Sequence, residues 1–138
     1  MNKSGLAVKN ALRFWKIDPN NLLVIQDDSD IELGRLKISF GQSHGGHKGL
    51  ASIIQALESS QFSRLKIGAR PEFLKRNVAG KHVKAEKFIL RSFPKKWQEI
   101  VSAEGKEAVY LWLESSLAKA MSKYNDSNYN FYVPSNNL

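Results

Sequence analysis

Three short clusters of reactive residue types stand in order along this 138-residue chain. The first is Asn2, in Met1-Asn2-Lys3-Ser4-Gly5. An amide at a helix N-terminus can donate to a carbonyl oxygen while neighbouring backbone N–H groups face an anion. That pairing suits gripping a peptide backbone or a developing oxyanion. The competing reading is a frayed second residue. The second cluster is Asp27, Asp28 and Asp30, with Glu32 just beyond. A carboxylate in this place can orient a histidine and stabilise its imidazolium, bind a divalent cation, or shape a turn. The third is the glycine-rich run Gly41, Gly45, Gly46 and Gly49 around His44 and His47, with Lys48 inside it. Glycines let backbone approach a ligand, and a helix N-terminus can hold phosphate or position a water. The two loop histidines could serve as ligands or a base, but such residues more often hydrogen-bond within the loop.

Basic residues flank these clusters. Lys37, Arg64 and Lys66 fall on strands beside the glycine loop and form a candidate phosphate clamp, while Arg70, Lys75, Arg76, Lys81 and Lys84 extend the basic surface. Contacts of this kind position RNA without reading its sequence. The chain carries 21 Lys+Arg against 13 Asp+Glu, a formal net charge of +8. Such a balance attracts polyanions, although a lysine-rich surface also serves solubility.

The elements that must position these residues follow from periodicity. Residues 4–16 read as a helix with Ser4 as N-cap, and Asp18-Pro19-Asn20-Asn21 as its stop and turn. Residues 22–25 are an apolar run of strand length, delivering the acidic cluster at the strand's C-terminal end. Residues 35–40 alternate with period two, Leu36, Ile38 and Phe40 inward. A loop over 41–49 leads to a helix over 50–57, with Leu50, Ile53, Ile54 and Leu57 on one stripe. A third strand spans 64–69, and 71–81 is a basic loop. Further helices are expected over 84–92 and 95–122, and a disordered tail from Tyr124. The order predicts an α/β layered fold with a mixed central sheet and flanking helices. Three strands are few for such a sheet.

Composition excludes other classes. Zero cysteines remove disulfides, thiolate catalysis and cysteine-ligated zinc, which fits a reducing cytoplasm. No apolar run reaches the ~18 residues of a membrane span, and no apolar stretch follows the first lysine as in a secretory signal.

Taken together, Met1-Asn2-Lys3-Ser4-Gly5, Asp27-Asp28-Ser29-Asp30-Ile31-Glu32-Leu33-Gly34, Gly45-Gly46-His47-Lys48-Gly49-Leu50 and Phe62-Ser63-Arg64-Leu65-Lys66-Ile67-Gly68 resemble the bacterial-type peptidyl-tRNA hydrolase family. That family cuts the ester between a stalled peptide and its tRNA. The resemblance implies that Asn2 holds the peptide and the reacting ester, and that Asp27 orients a general-base histidine. It makes His47 a structural loop residue beside the substrate. Lys37, Arg64 and Lys66 become contacts to the acceptor-stem phosphate. It implies no metal and no cofactor, tRNA as partner, no membrane, a monomer and a cytoplasmic location. The family has asparagine, which helps hold the attacking water and the substrate, where this chain has Lys48. An ammonium has three donors and no acceptor, so it replaces one function of an amide and not the other.

The resemblance covers the chain to about Tyr124, yet only the last two-thirds of the family's fold. The expectation is therefore a partial domain over 1–124, incomplete at its N-terminus, with 125–138 as tail. The family's general-base histidine has no counterpart among His44, His47 and His82, so the 138 residues alone are expected to be inactive. Two other readings follow from the same residues. A non-catalytic RNA-binding module is favoured by Lys48 and opposed by Asn2 and Asp27. A metal-dependent hydrolase built on Asp27, Asp28 and Asp30 would lose its activity to a chelator.

Overall fold

The computed structural model describes residues 3–70 and 95–131, apart from the side chains of Lys96 and Trp97. Asn2, the basic loop 71–81 with His82, and the helix expected over 84–92 lie outside these residues.

Helix α1 (Ser4–Trp15) starts from Lys3, which makes no side-chain cap, so the expected Ser4 cap is not formed. The helix ends where Lys16 turns left-handed (φ 52°) and its N–H donates to the carbonyls of Leu12 and Arg13, the closure that usually falls to glycine or asparagine. The turn expected from Asp18-Pro19-Asn20-Asn21 is present as a 3₁₀ turn (Pro19–Asn21), with Asp18 accepting from the Asn20 amide at 2.8 Å.

Three strands form one sheet in the order β1 (Leu23–Glu32), β3 (Ser63–Arg70), β2 (Leu36–Phe40). Bonds from Ser63 to Leu22 and from Leu33 to Arg70 run β1 and β3 parallel. Bonds from Gly41 to Phe62 and from Gly68 to Arg35 make β2 antiparallel to β3. The sheet is mixed, as expected. Strand β1 is longer than its apolar run: it continues through the acidic cluster to Glu32, so Asp27, Asp28 and Asp30 sit in the strand and not beyond it. Between the same two rungs β1 runs from 22 to 33 and β3 only from 63 to 70, so β1 bulges. Within that interval the Asp30 amide donates to Asp28 Oδ1 at 2.9 Å. The connection from β1 to β2 passes tightly over β3. A Cβ on Gly68 would lie 1.9 Å from the Glu32 carbonyl oxygen, so only glycine fits.

The chain divides into two compact units. In the first (Met1–Val24 and Ser39–Arg64), α1 packs on α2 (Lys48–Leu57), which begins two residues before the expected 50. Leu50, Ile53 and Phe62 form its buried centre, with Val8, Leu22, Val24, Ile54 and Leu57 packed around them. Each fully buried side chain of this size contributes about 1.5–3 kcal/mol.

In the second unit (Ile25–Ile38 and Leu65–Leu138), the single helix expected over 95–122 is two helices. Helix α3 (Lys95–Glu114) stops at Ser115-Ser116, and α4 (Leu117–Tyr124) restarts with Ser116 Oγ accepting from the Lys119 amide at 3.2 Å. A serine cap of this kind ends one helix and begins the next. Leu36, Ile38, Leu65 and Ala108 are buried here.

The boundary expected at Tyr124 also differs. Tyr124 is fully buried and meets the Tyr129 ring edge-on at 4.9 Å. Asn125 grips both the N–H and the C=O of Ile38, at 2.8 Å each. Phe131 is buried and its amide donates to the Gly34 carbonyl at 2.9 Å. Residues 125–131 therefore belong to the folded domain, because their aromatic rings and one amide side chain close its second unit.

Candidate active site

The first unit carries the glycine-rich loop. Leaving β2, the chain takes positive φ at Gly41, Gly45 and Gly46. A Cβ at Gly45 or Gly46 would meet nothing within 4 Å, so backbone conformation and not crowding requires glycine there. His44 Nδ1 accepts from the Gly46 amide at 3.1 Å, and the His47 amide donates to the His44 carbonyl at 2.9 Å. His47 is the N-cap of α2, its Nδ1 accepting from the Leu50 amide at 3.3 Å. Both rings thus brace the loop through Nδ1, as the sequence reading favoured. A neutral ring accepting at Nδ1 keeps its proton on Nε2, so each offers a donor at its outer nitrogen.

Lys48 is the first residue of α2 and is exposed. A cation here opposes the helix dipole, a cost of about 0.3–1 kcal/mol at an exposed site. In return, Lys48 adds a cation to the positive end of α2, a chemistry suited to a phosphate or an oxyanion.

Arg64, read from the sequence as part of a phosphate clamp, is placed otherwise. It is 1% exposed, lies 5.0 Å over the Phe62 ring, and donates through Nη1 to the Ser43 carbonyl at 2.6 Å and through Nη2 to the Gln42 carbonyl. Burial lowers its pKa. Its guanidinium faces the loop's own backbone, not solvent. A phenylalanine two residues before a strand arginine puts both on one face, the one sequence signal that pointed to this stacking.

The second unit carries the acidic cluster and the other two clamp residues. Asp27 is exposed on β1. Asp28 pairs with Lys66 at 3.4 Å, and Glu32 with Arg70 at 3.2 Å, two cross-strand ion pairs between β1 and β3. Lys66 is therefore already neutralised by a carboxylate, while Lys37 stands exposed on β2. Among the described residues no three His, Cys, Asp or Glu side chains gather as a metal site.

Comparison with known proteins agrees with this architecture. The family described as peptidyl-tRNA hydrolase matches residues 1–131. A peptidyl-tRNA hydrolase from Citrifermentans bemidjiense is 38% identical over 128 residues, covering 91% of this chain and 64% of the relative. One from Lactobacillus delbrueckii is 51% identical over 70 residues, covering 51% of this chain and 38% of the relative. The crystal structure of peptidyl-tRNA hydrolase from Acinetobacter baumannii superposes with a TM-score of 0.73 at 26% identity, covering 94% of this chain and 63% of that one. The fold is thus the α/β fold of that structure. The chain belongs to the peptidyl-tRNA hydrolase family. It spans about 64% of the length of the curated relatives it matches over most of its own length. No described helix is long and apolar enough to cross a membrane.

Proposed function

We propose that this chain serves hydrolysis of the ester linking a peptide to tRNA, in the cytoplasm, as a monomer and without a metal or organic cofactor. The observation that carries the reading is the family match over 1–131. The braced loop supports it, since it ends in a helix N-terminus bearing Lys48. The net charge of +8 favours approach of a polyanion.

In this mechanism Asp27 orients the general-base histidine that the family resemblance implies, a role that none of His44, His47 and His82 matches. That histidine takes a proton from water, and the water oxygen attacks the ester carbonyl. Loop amides near His47 and Lys48 hold the tetrahedral oxyanion. Collapse expels the ribose oxygen, which takes the proton back and leaves free tRNA and the peptide's carboxylic acid, which then loses its proton to solvent. Asn2 holds the peptide. Lys37 holds the acceptor-stem phosphate, joined by Lys66 when phosphate displaces Asp28. Arg64 is left out of this clamp. Without its base the 138-residue chain turns over ~10²–10⁴-fold more slowly than with it.

The test is release of labelled peptide from N-acetylaminoacyl-tRNA. The chain itself is compared with the same chain joined to the N-terminal third of the Citrifermentans bemidjiense relative. Release by the joined form, with the chain alone at least ~10²-fold slower, supports the reading. tRNA binding by both forms without release by either would instead leave an RNA-binding module.

A further inference from the structure

We propose that Arg64 is a positioning residue for the glycine-rich loop, which it holds by binding two consecutive backbone carbonyls, those of Gln42 and Ser43. The inference goes beyond the functional reading, on which it rests only for its consequence in turnover.

Successive carbonyls of an extended strand point to opposite sides. Two consecutive carbonyls can reach one guanidinium only if the chain has left that conformation. The Arg64 fork therefore holds the first two loop residues beyond the turn at Gly41, which itself ends β2 after Phe40. It sets both peptide planes immediately before His44, the residue that braces Gly46 and accepts from the His47 amide. The order continues to His47, which caps α2 beside Lys48.

A rigid base keeps the fork in place. The guanidinium lies 5.0 Å over the Phe62 ring, and Phe62 is itself in the buried cluster with Leu50 and Ile53 of α2. Helix and loop are thus referred to the same ring. Among the described residues no carboxylate pairs with Arg64, and its Nε has no partner. A buried cation lacking a carboxylate is costly to keep. The two loop carbonyls and the ring face are what hold it. A lysine could reach one carbonyl but not present the planar fork to both.

The experiment is amide hydrogen exchange on the 138-residue chain as wild type, Arg64→Met and Arg64→Lys. In Arg64→Met the amides of His47 and Leu50 exchange at least tenfold faster, while those of Ile53 and Ile54 within α2 keep their wild-type rates. In Arg64→Lys the same two amides accelerate by less. Should Arg64→Met fail to fold, the Lys variant decides alone. Unchanged exchange at His47 and Leu50 overturns the proposal. So does an equal acceleration of all four amides, which would mean that Arg64 stabilises the unit as a whole. In the joined hydrolase described above, Arg64→Lys is expected to lower kcat about tenfold with little change in KM. Loss in KM alone would overturn the proposal by returning Arg64 to the phosphate clamp. Absence of release in the wild type would overturn only the functional reading, since the exchange pattern is independent of turnover.

Discussion

The backbone of Gly5 lies directly against Ser52: its amide donates to Ser52 Oγ at 3.1 Å, and a Cβ on Gly5 would sit 2.0 Å from the Ser52 carbonyl oxygen. The obstacle is backbone, so neither helix can yield by turning a side chain. Gly5→Ala is expected to push α1 off α2 and to destabilise the protein by roughly 2–3 kcal/mol. Thermal unfolding should show a midpoint about 6–12 °C lower. Ser52→Ala, which removes the hydrogen bond and keeps the close approach, should cost about 1 kcal/mol.

Asn125 acts as a short extra strand on β2, its amide matching both the N–H and the C=O of Ile38. Asn125→Asp keeps the acceptor for the Ile38 amide but sets a carboxylate oxygen against the Ile38 carbonyl. We expect it to be worse than Asn125→Ala, with losses of about 3 and 2 kcal/mol respectively in urea unfolding. Equal losses would mean that the carbonyl contact contributes nothing.

Tyr129 is held neutral by burial first and by its 2.7 Å bond to Glu104 second, which together push its pKa well above the ordinary 10.0. The unfolded chain loses this proton as pH passes 10.0, while the folded chain keeps it. The contribution is therefore fully present below pH 10.0 and is lost as pH rises toward the folded value. Tyr129→Phe should flatten the decline of stability above pH 10.0 and cost about 1 kcal/mol at pH 7. Urea titrations across pH 7–11 report both effects.

Lys48 opposes the α2 dipole and lacks an acceptor for a water. Lys48→Asn in the joined hydrolase should raise kcat about tenfold and stabilise the helix by ~0.3–1 kcal/mol. Weaker tRNA binding should accompany these gains, since one cation is removed. A fall in kcat would show that the ammonium has taken over oxyanion stabilisation.

What could be read from the sequence was what short-range pattern encodes. The inward Leu36 and Ile38, the stripe of Leu50 and Ile53, and the glycine loop before α2 all appear where periodicity and turn chemistry put them. The alternation breaks at Ser39, read as outward and in fact buried, and leaves Phe40 only half-buried. The rest depended on partners distant in sequence. Aspartates are poor strand formers, so extending β1 past Ile25 required Lys66 and Arg70 of β3 to face Asp28 and Glu32. Asn125 looked like the start of a polar tail, and only Ile38, 87 residues away, gives it a role. Arg64 was assigned to solvent and phosphate because a strand arginine usually reaches one or the other. Its two acceptors are backbone carbonyls, which leave no mark in a sequence. The glycine loop and its bracing histidines were legible, and the backbone partners of Arg64 were not.

The central claim is that Asp27 serves ester hydrolysis through a histidine. The most direct measurement is the rate of peptide release by the joined hydrolase with and without Asp27→Asn. The amide keeps size and polarity, and Asp27 is exposed and outside the two ion pairs, so folding should be unaffected. The account predicts a fall in kcat of ~10²–10⁴-fold with tRNA affinity unchanged. Release at the unsubstituted rate would contradict it.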